Sequence, residues 1–545
     1  MKQRSWLSVV GIVLAAVALV AGGAWFWVRA HSPLQLLEGA AISSPAAANF
    51  VPARSPLMVS WLTNPDRVRE LGGVLISPSE KSDLDAALDG VERSLLAGTG
   101  LTYDRDVRPW LGDEITFAVV AADADRDADN GKQTGYLAAL SVRDADAARE
   151  FLDLFWQKSA LSGTEVTFED TSGVRLAYAP DSQRWASALA GEQFVLFAND
   201  PDILRRSLHN AQTPTLNLSG SPDYQQALQR LTSRRLGIAF SNLPELTAWL
   251  GTASPETRDW GSVTLGLALN REGIEAQAVL SQAAVTEPMT AEPLEVLEYL
   301  PPTATLVAAG TDLQQLWQQL QGNPLLSPPL AAIVADIEAN WGLSLPEEVF
   351  DWARGEYAIA LFPNEDGELD WAFIAEKSPE TAAAMQKLDA IAVDRGYTIG
   401  PFTLKGEHRV FAWTRFQAGT EAVVEGNPRL RLEAEVVGVR GETEGYELLA
   451  SSIEAIDGMF NARRSGSVLA DGAFLSAIAP LGRPNDGYLY VNWPGLRQRI
   501  EREWPALRLA ELSAKPFFER LQAIGAARTE DEEGARAELF FQLGS

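Results

Sequence analysis

Residues 100–119, GLTYDRDVRPWLGDEITFAV, align without gaps to residues 342–361, GLSLPEEVFDWARGEYAIAL. Gly100, Leu101, Val107, Trp110, Glu114 and Ala118 fall opposite Gly342, Leu343, Val349, Trp352, Glu356 and Ala360. Self-similarity at a fixed long offset is the signature of repeated architecture, so its extent decides the fold.

Two further matches keep nearly the same offset and the same order. FVPARSPLMV from Phe50 matches YLPPTATLVA from Tyr299. Residues 223–246 match 473–496, pairing Ala227, Leu231, Gly237, Asn242, Pro244 and Leu246 with Ala477, Leu481, Gly487, Asn492, Pro494 and Leu496. The chain therefore divides into two copies, residues 49–282 and 294–545, joined by a linker at 283–293. Each copy has the size of one domain.

Both copies pass from strand to helix at matching places. ALSVRDADAAREFLDLF carries Asp144 as an N-cap, and AEKSPETAAAMQKL carries Ser378 as cap with Pro379 at the first helical position. SNLPEL and VNWPGL repeat the device around Pro244 and Pro494, while Asn199, Asp200 and Pro201, and then Ser451 and Ser452, mark further helix starts. Alternating β-type runs such as EITFAVVAA, GYLAALSV, SVTLGLALN and GIEAQAVL lie between, with a hairpin signal at Asn270–Gly273. The pattern predicts an α+β class: a tandem duplication of a mostly antiparallel sheet domain with helices packed on one side of it.

At the N-terminus, Lys2 and Arg4 precede an uncharged run from Trp6 to Val28. As a helix this run rises about 34 Å, enough for a bilayer core of about 30 Å. Trp6 at one end and Trp25, Phe26 and Trp27 at the other stand where interfacial aromatic anchors stand. Residues 1–29 thus read as a transmembrane signal anchor with a cytoplasmic N-terminus, and residues 30–48, rich in Ala, Ser and Pro, read as a tether. The competing reading is a signal peptide cleaved near Ala21–Ala24. Either way, the bulk of the chain lies in a periplasm or lumen.

Composition excludes several classes. With 73 acidic against 45 basic residues the formal charge is −28, which repels phosphate backbones, so nucleic acid is not an expected partner. There is no cysteine, hence no disulfide, thiolate nucleophile, iron–sulfur cluster or thiolate zinc site. His31, His209 and His408 lie far apart, without metal-ligand spacing. A nucleophile elbow, a Walker A loop and a dinucleotide fingerprint are all missing, and no cofactor is expected.

With its anchor, its lack of cysteine, Trp-Leu-Gly-Asp-Glu at 110–114 and the Trp-Ala-Arg-Gly-Glu echo at 352–356, the chain resembles the cyanobacterial family called domain of unknown function 3352. The resemblance covers nearly all of the sequence. It implies a membrane-associated protein and assigns no functional residues.

The most metal-like stretch is Asp123, Asp125, Asp127 and Asp129, spaced like the start of a calcium loop. Counting from Asp125, Asn130 stands where such a loop needs Gly and Tyr136 where it needs Glu, so a solvated hairpin tip is the plainer reading. Trp110 with Glu114, and Trp352 with Glu356, allow an aromatic-and-acid grip on a ligand. Their presence in both copies favours residues that lock a loop onto a sheet, as it does for Asn242, Asn492, Pro244 and Pro494. The expectation is a non-enzymatic binding or scaffolding protein, tethered to the membrane by its N-terminal helix and partnered with another envelope or thylakoid protein. The alternatives are a carrier of an apolar ligand, lipid or pigment, and an envelope hydrolase using carboxylates.

Overall fold

The computed structural model describes residues 44–62, 102–124, 133–180, 186–231, 235–251, 261–269, 272–281, 294–322, 344, 348–364, 367–404, 408–421, 429–483, 485, 487–497, 515–531 and 534–544. Two compact units emerge. One covers Met1–Thr286 with Leu509–Arg520 and Asp531–Ala537; the other covers Glu287–Arg508, Leu521–Glu530 and Glu538–Ser545. The two units meet in sequence between Thr286 and Glu287, and two C-terminal stretches cluster with the first unit.

The first unit opens with a 3-10 turn at Ala46–Asn49 and continues with β1 (Leu57–Trp61), a π-helical turn (Tyr103–Val107), β2 (Leu111–Ala121), β3 (Gly135–Val142) and helix α1 (Ala145–Leu161). Strands β4 (Thr167–Thr171), β5 (Val174–Tyr178), β6 (Ala186–Ala190) and β7 (Phe194–Ala198) follow, then α2 (Pro201–Gln212) and α3 (Pro222–Arg230). The last elements are β8 (Gly237–Asn242), α4 (Leu243–Leu250), β9 (Ser262–Leu269) and β10 (Gly273–Leu280). Their spatial order is β4-β5-β6-β7-β3-β2-β1-β8-β9-β10, every pair antiparallel.

The second unit opens with a 3-10 turn at Glu295–Tyr299 and contains β11 (Leu306–Gly310), α5 (Leu313–Gly322), β12 (Tyr357–Pro363), β13 (Leu369–Glu376) and α6 (Thr381–Asp394). It goes on through β14 (Thr398–Thr403), β15 (Arg409–Glu421), β16 (Arg429–Glu442), β17 (Tyr446–Ala450), α7 (Ile453–Ser465), α8 (Gly472–Ile478) and β18 (Gly487–Asn492). Helix α9 (Lys515–Arg520), which clusters with the first unit, precedes β19 (Leu521–Asp531) and β20 (Gly534–Leu543). The spatial order is β14-β15-β16-β17-β13-β12-β11-β18-β19-β20. Position by position, this is the pairing order of the first unit. The class is α+β with large antiparallel sheets.

Helices cover both faces of each sheet, not one as the sequence predicts. In the first unit Met58, Ala118, Leu137, Ala139 and Leu196 pack with Ile203 and Leu204 of α2 and Tyr224 and Leu228 of α3. On the opposite face, Val195 packs with Ala148 and Phe151 of α1. In the second unit Ala360, Ile374 and Leu448 meet Ile456 and Met459 of α7, while Phe373 and Leu449 meet Met385 and Leu388 of α6. The physical sign of this two-sided cover is the unbroken run FVLFA in β7, buried or half-buried at every residue, where a one-sided strand alternates.

Helix starts follow local capping chemistry. The Asp144 carboxylate accepts from the N–H groups of Asp146 and Ala147, Asp200 from Asp202, and Ser452 Oγ from Ala455. Helix α6 differs from the predicted start. It begins at Thr381, because Thr381 turns back on Ser378, donating its N–H (3.2 Å) and its hydroxyl (2.8 Å) to the Ser378 carbonyl. Ser378 Oγ accepts from Glu380, at 3.3 Å, and not from Thr381.

The proposed anchor with Trp6, Trp25, Phe26 and Trp27, most of the tether and the 283–293 linker lie outside the described residues. Among the described residues, no helix is long and apolar enough to cross a membrane.

Candidate functional site

The chain enters the first unit as the 3-10 turn Ala46–Asn49, whose first backbone N–H groups have no partner within the turn. Glu114 supplies one from the sheet: Oε2 accepts from Ala46 at 2.9 Å and Oε1 from Ala47 at 2.8 Å. A negative charge at this end of a helical turn is favourable. The carboxylate is 2% exposed and also accepts the Thr116 hydroxyl at 3.2 Å, while Thr116 meets Ser60 of β1 at 2.7 Å. The Glu114 N–H donates to Ser141 Oγ at 2.7 Å. Two residues earlier, Gly112 admits this close approach, since a Cβ there would stand 2.5 Å from the same Ser141 oxygen. Burial pushes the Glu114 carboxyl above its ordinary range, and the two backbone N–H groups and the Thr116 hydroxyl oppose that shift.

Glu356 takes the corresponding place in the second unit. Its carboxylate accepts from the backbone of Glu295 at 3.2 Å and Val296 at 2.8 Å, again at the opening 3-10 turn. Its own N–H donates to Glu376 Oε2 at 3.0 Å. Here the surroundings are phenolic. The rings of Phe50 and Phe194 lie 5.4 Å apart beneath the first unit's turn, whereas Tyr299 and Tyr446 lie 5.1 Å apart in the second. Tyr446 donates its hydroxyl to Glu356 Oε2 at 2.8 Å. Arg463 of α7 donates to the Tyr299 hydroxyl at 3.1 Å, stacks over its ring and pairs with Glu298 at 2.8 Å. Burial, then the bond to Glu356, then the charges of Glu356, Glu295 and Glu376 drive the Tyr446 hydroxyl well above the ordinary phenol range. It stays protonated and serves as a hydrogen-bond donor.

The paired tryptophans also share one geometry. Trp110 Nε1 donates to the carbonyl of Asp106 at 2.9 Å, and Trp352 Nε1 to that of Glu348 at 2.8 Å, four residues back in each case. Trp110 is 1% exposed and packs 5.1 Å from Phe151 of α1; Trp352 packs 5.8 Å from Phe373. Asn242 caps α4 by accepting from Glu245 at 3.2 Å, with Pro244 in the first turn, and Asn492 accepts from Gly495 at 3.1 Å, with Pro494 between them. Each side chain holds backbone of its own unit.

Asp123 accepts from the Gln133 N–H at 3.1 Å, closing the β2–β3 hairpin, and Asp125, Asp127 and Asp129 lie outside the described residues. Among the described residues, no group of three or more His, Asp or Glu stands together as metal ligands. Sequence reasoning missed Asp389 of α6, which accepts two N–H groups of Arg440 (Nη2 at 2.6 Å) and the Trp413 indole N–H at 2.9 Å. It also missed Tyr299, Tyr446 and Arg463. A signal was present: Arg440 directly follows the apolar run VVGV, and a charge in such a strand needs a nearby partner.

A family model described as "Protein of unknown function (DUF3352)" matches residues 10–543. No curated protein matches the sequence. A solved structure described as "Structure of crystal form I of TP0453" is 11% identical over 45% of this chain and 82% of that chain, with a TM-score of 0.24, too slight a likeness to carry an argument.

Proposed function

The chain belongs to the DUF3352 family, and from that premise we propose that it is a membrane-anchored scaffold: one N-terminal transmembrane helix carrying two duplicated α+β binding units outside the cytoplasm. The cyanobacterial setting implied by the resemblance makes a plasma or thylakoid membrane the bilayer, and the periplasm or thylakoid lumen the compartment. The units bind another protein and catalyse nothing.

One observation carries this reading. The residues that recur at equivalent places, Glu114 and Glu356, Trp110 and Trp352, Asn242 and Asn492, each hydrogen-bond backbone of their own unit. What recurs is thus a frame, and the equal strand order of the units supports descent from one duplicated domain. Affinity purification of the full chain from solubilised membranes tests the reading. Reproducible co-purification of one or a few envelope proteins is expected. Recovery of the chain alone, or protease digestion of the units from the cytoplasmic side of intact vesicles, overturns it.

A further inference from the structure

Glu447 of β17 is 8% exposed, and among the described residues nothing donates a hydrogen bond to its carboxyl. The register sets it directly opposite Glu442 of β16 on one side and Ala375 of β13 on the other. Like charges so placed repel, and a buried acid without a donor adds a second cost. The charged groups around it are Lys377, Glu442, Arg440 and Asp389. The Lys377 ammonium sits on Glu442 at 2.6 Å. The Arg440 guanidinium is committed to Asp389 of α6 at 2.6 Å and to the ring of Phe411. Burial raises the Glu447 carboxyl above its ordinary range; Lys377 opposes the shift, Glu442 adds to it and Arg440 opposes it.

The first unit shows what the frame itself needs at this place. There Val195 stands opposite Leu189 and Leu140, as Glu447 stands opposite Glu442 and Ala375. Val142 takes the position of Lys377: the two residues donate their N–H groups to Gln193 and Gly445, each the residue before the equivalent strand. Val142, Leu189 and Val195 are all apolar and pack in one cluster with Ala148 and Phe151 of α1. On the same face Ser187, which accepts the Trp156 indole N–H at 2.7 Å, is replaced by Arg440. The fold is thus built in one copy without charge at these three positions. In the other copy Lys377, Glu442 and Glu447 serve something besides the frame, and a buried acid with a raised proton affinity beside a charged neighbour is the mark of a working site.

We propose that Glu442 and Glu447 receive an alkylammonium group, and that this group is a lysine of the protein partner. The inference rests on the binding reading given under Proposed function and names the chemistry of the contact. Glu442, whose side chain is 66% exposed, is the half of the pair that meets solvent, and Glu447 is the buried half. Lys377 shows that an ammonium fits here, since its Nζ already reaches Glu442. An ammonium has three donors, enough to serve a second carboxyl beside the first. A divalent metal suits the place less well, because among the described residues no three carboxylates or histidines stand together as metal ligands. Docking of the cation removes both costs at once: it gives Glu447 a donor and screens it from Glu442.

Carbodiimide coupling joins a carboxyl to a primary amine in contact with it and leaves guanidinium groups unreacted. The full chain is treated in its native membranes and the linked peptides are mapped by mass spectrometry, the internal Glu442–Lys377 link serving as the control for reactivity. The expected result is a link from Glu442 or Glu447 to a lysine of another protein. Its yield should fall about tenfold in Glu447→Val, which installs the residue of the first unit, and in Glu447→Gln, which keeps the shape. It should hold in Glu165→Gln, which removes an exposed charge elsewhere. A link that both Glu447 variants leave unchanged overturns the proposal. So does a partner linked only through other residues while Glu442 is joined to Lys377 alone; the scaffold reading then stands without this site. Coupling of added spermidine at Glu442 or Glu447, with no protein linked there, overturns the assignment to a partner's lysine. A chain that links to no other protein and co-purifies with none removes the scaffold reading and this inference together.

Discussion

Glu114 accepts the backbone N–H of Ala47 at 2.8 Å from 67 residues further along the chain. The contact fastens the incoming chain to the centre of the sheet, and Glu356 does the same for Val296. Removing the acceptor leaves the buried Ala47 donor and the partly buried Ala46 donor unpaired. Glu114→Ala is expected to destabilise the first unit by about 2–3 kcal/mol, the cost of losing charge-assisted bonds and leaving N–H groups unpaired. Hydrogen exchange should show lost protection at Ala46 and Ala47 first; unchanged exchange there rejects the assignment.

The same carboxyl has a pH signature. Its folded-state value is raised by burial, so the folded protein holds this proton more tightly than the unfolded chain does. The associated stability is fully present below the ordinary value of 4.5 and is lost as pH rises through the raised folded value. Glu114→Gln should flatten that part of the stability profile. A profile identical to that of the parent protein would exclude Glu114 as its source.

Glu169 behaves oppositely. The paired guanidinium of Arg205, at 2.7 Å, holds its carboxyl down to about 2, helped by the Thr171 hydroxyl. Its contribution is present above the ordinary value of 4.5 and fades as pH falls towards 2. Both side chains are about a third exposed, so the effect is modest and weakens with salt. Acid titration of Glu169→Gln against the parent protein, at low and high ionic strength, measures it.

Trp110→Ala is expected to cost about 3–5 kcal/mol, from the cavity left beside Phe151. Trp110→Phe keeps most of the packing and loses only the bond to the Asp106 carbonyl, at about 1 kcal/mol. Equal losses for the two variants, by denaturant titration, would show that packing is not the main role.

Tyr224 is 1% exposed, and among the described residues its hydroxyl has no hydrogen-bond partner. It packs edge-on against Phe240, while the second unit places Phe474 against Tyr490, the hydroxyl having changed sides of an otherwise similar pair. Tyr224→Phe should therefore be neutral or stabilising by up to about 1 kcal/mol. A clear loss of stability on thermal unfolding would reveal a partner for the hydroxyl.

The sequence was most legible where structure is local. Asp144, Asp200 and Asn242 mark helix starts because a cap acts within three residues. The hairpin signal at Asn270–Gly273 lies between β9 and β10, whose antiparallel register sets Leu269 opposite Ile274. Ser378 misled because it opens a separate turn ahead of α6, its carbonyl accepting from the Thr381 N–H and hydroxyl. The second helical layer went unread because short apolar runs such as FVLFA do not say what covers either face. Alignment singled out Glu114 and Glu356, but their partners lie 60 or more residues away, and pairings at that distance leave no periodic trace.

The fastening of the opening turn has a mechanical consequence. A pull on the N-terminus, from a membrane or from any tether, reaches the Glu114 bonds before it reaches β1. From there the load passes into β2, which is laced to β1 and β3 on either side. Tension is spread across three strands in shear instead of unzipping the first, so this unit should yield late and abruptly under force, and its Glu114→Ala variant early and by degrees.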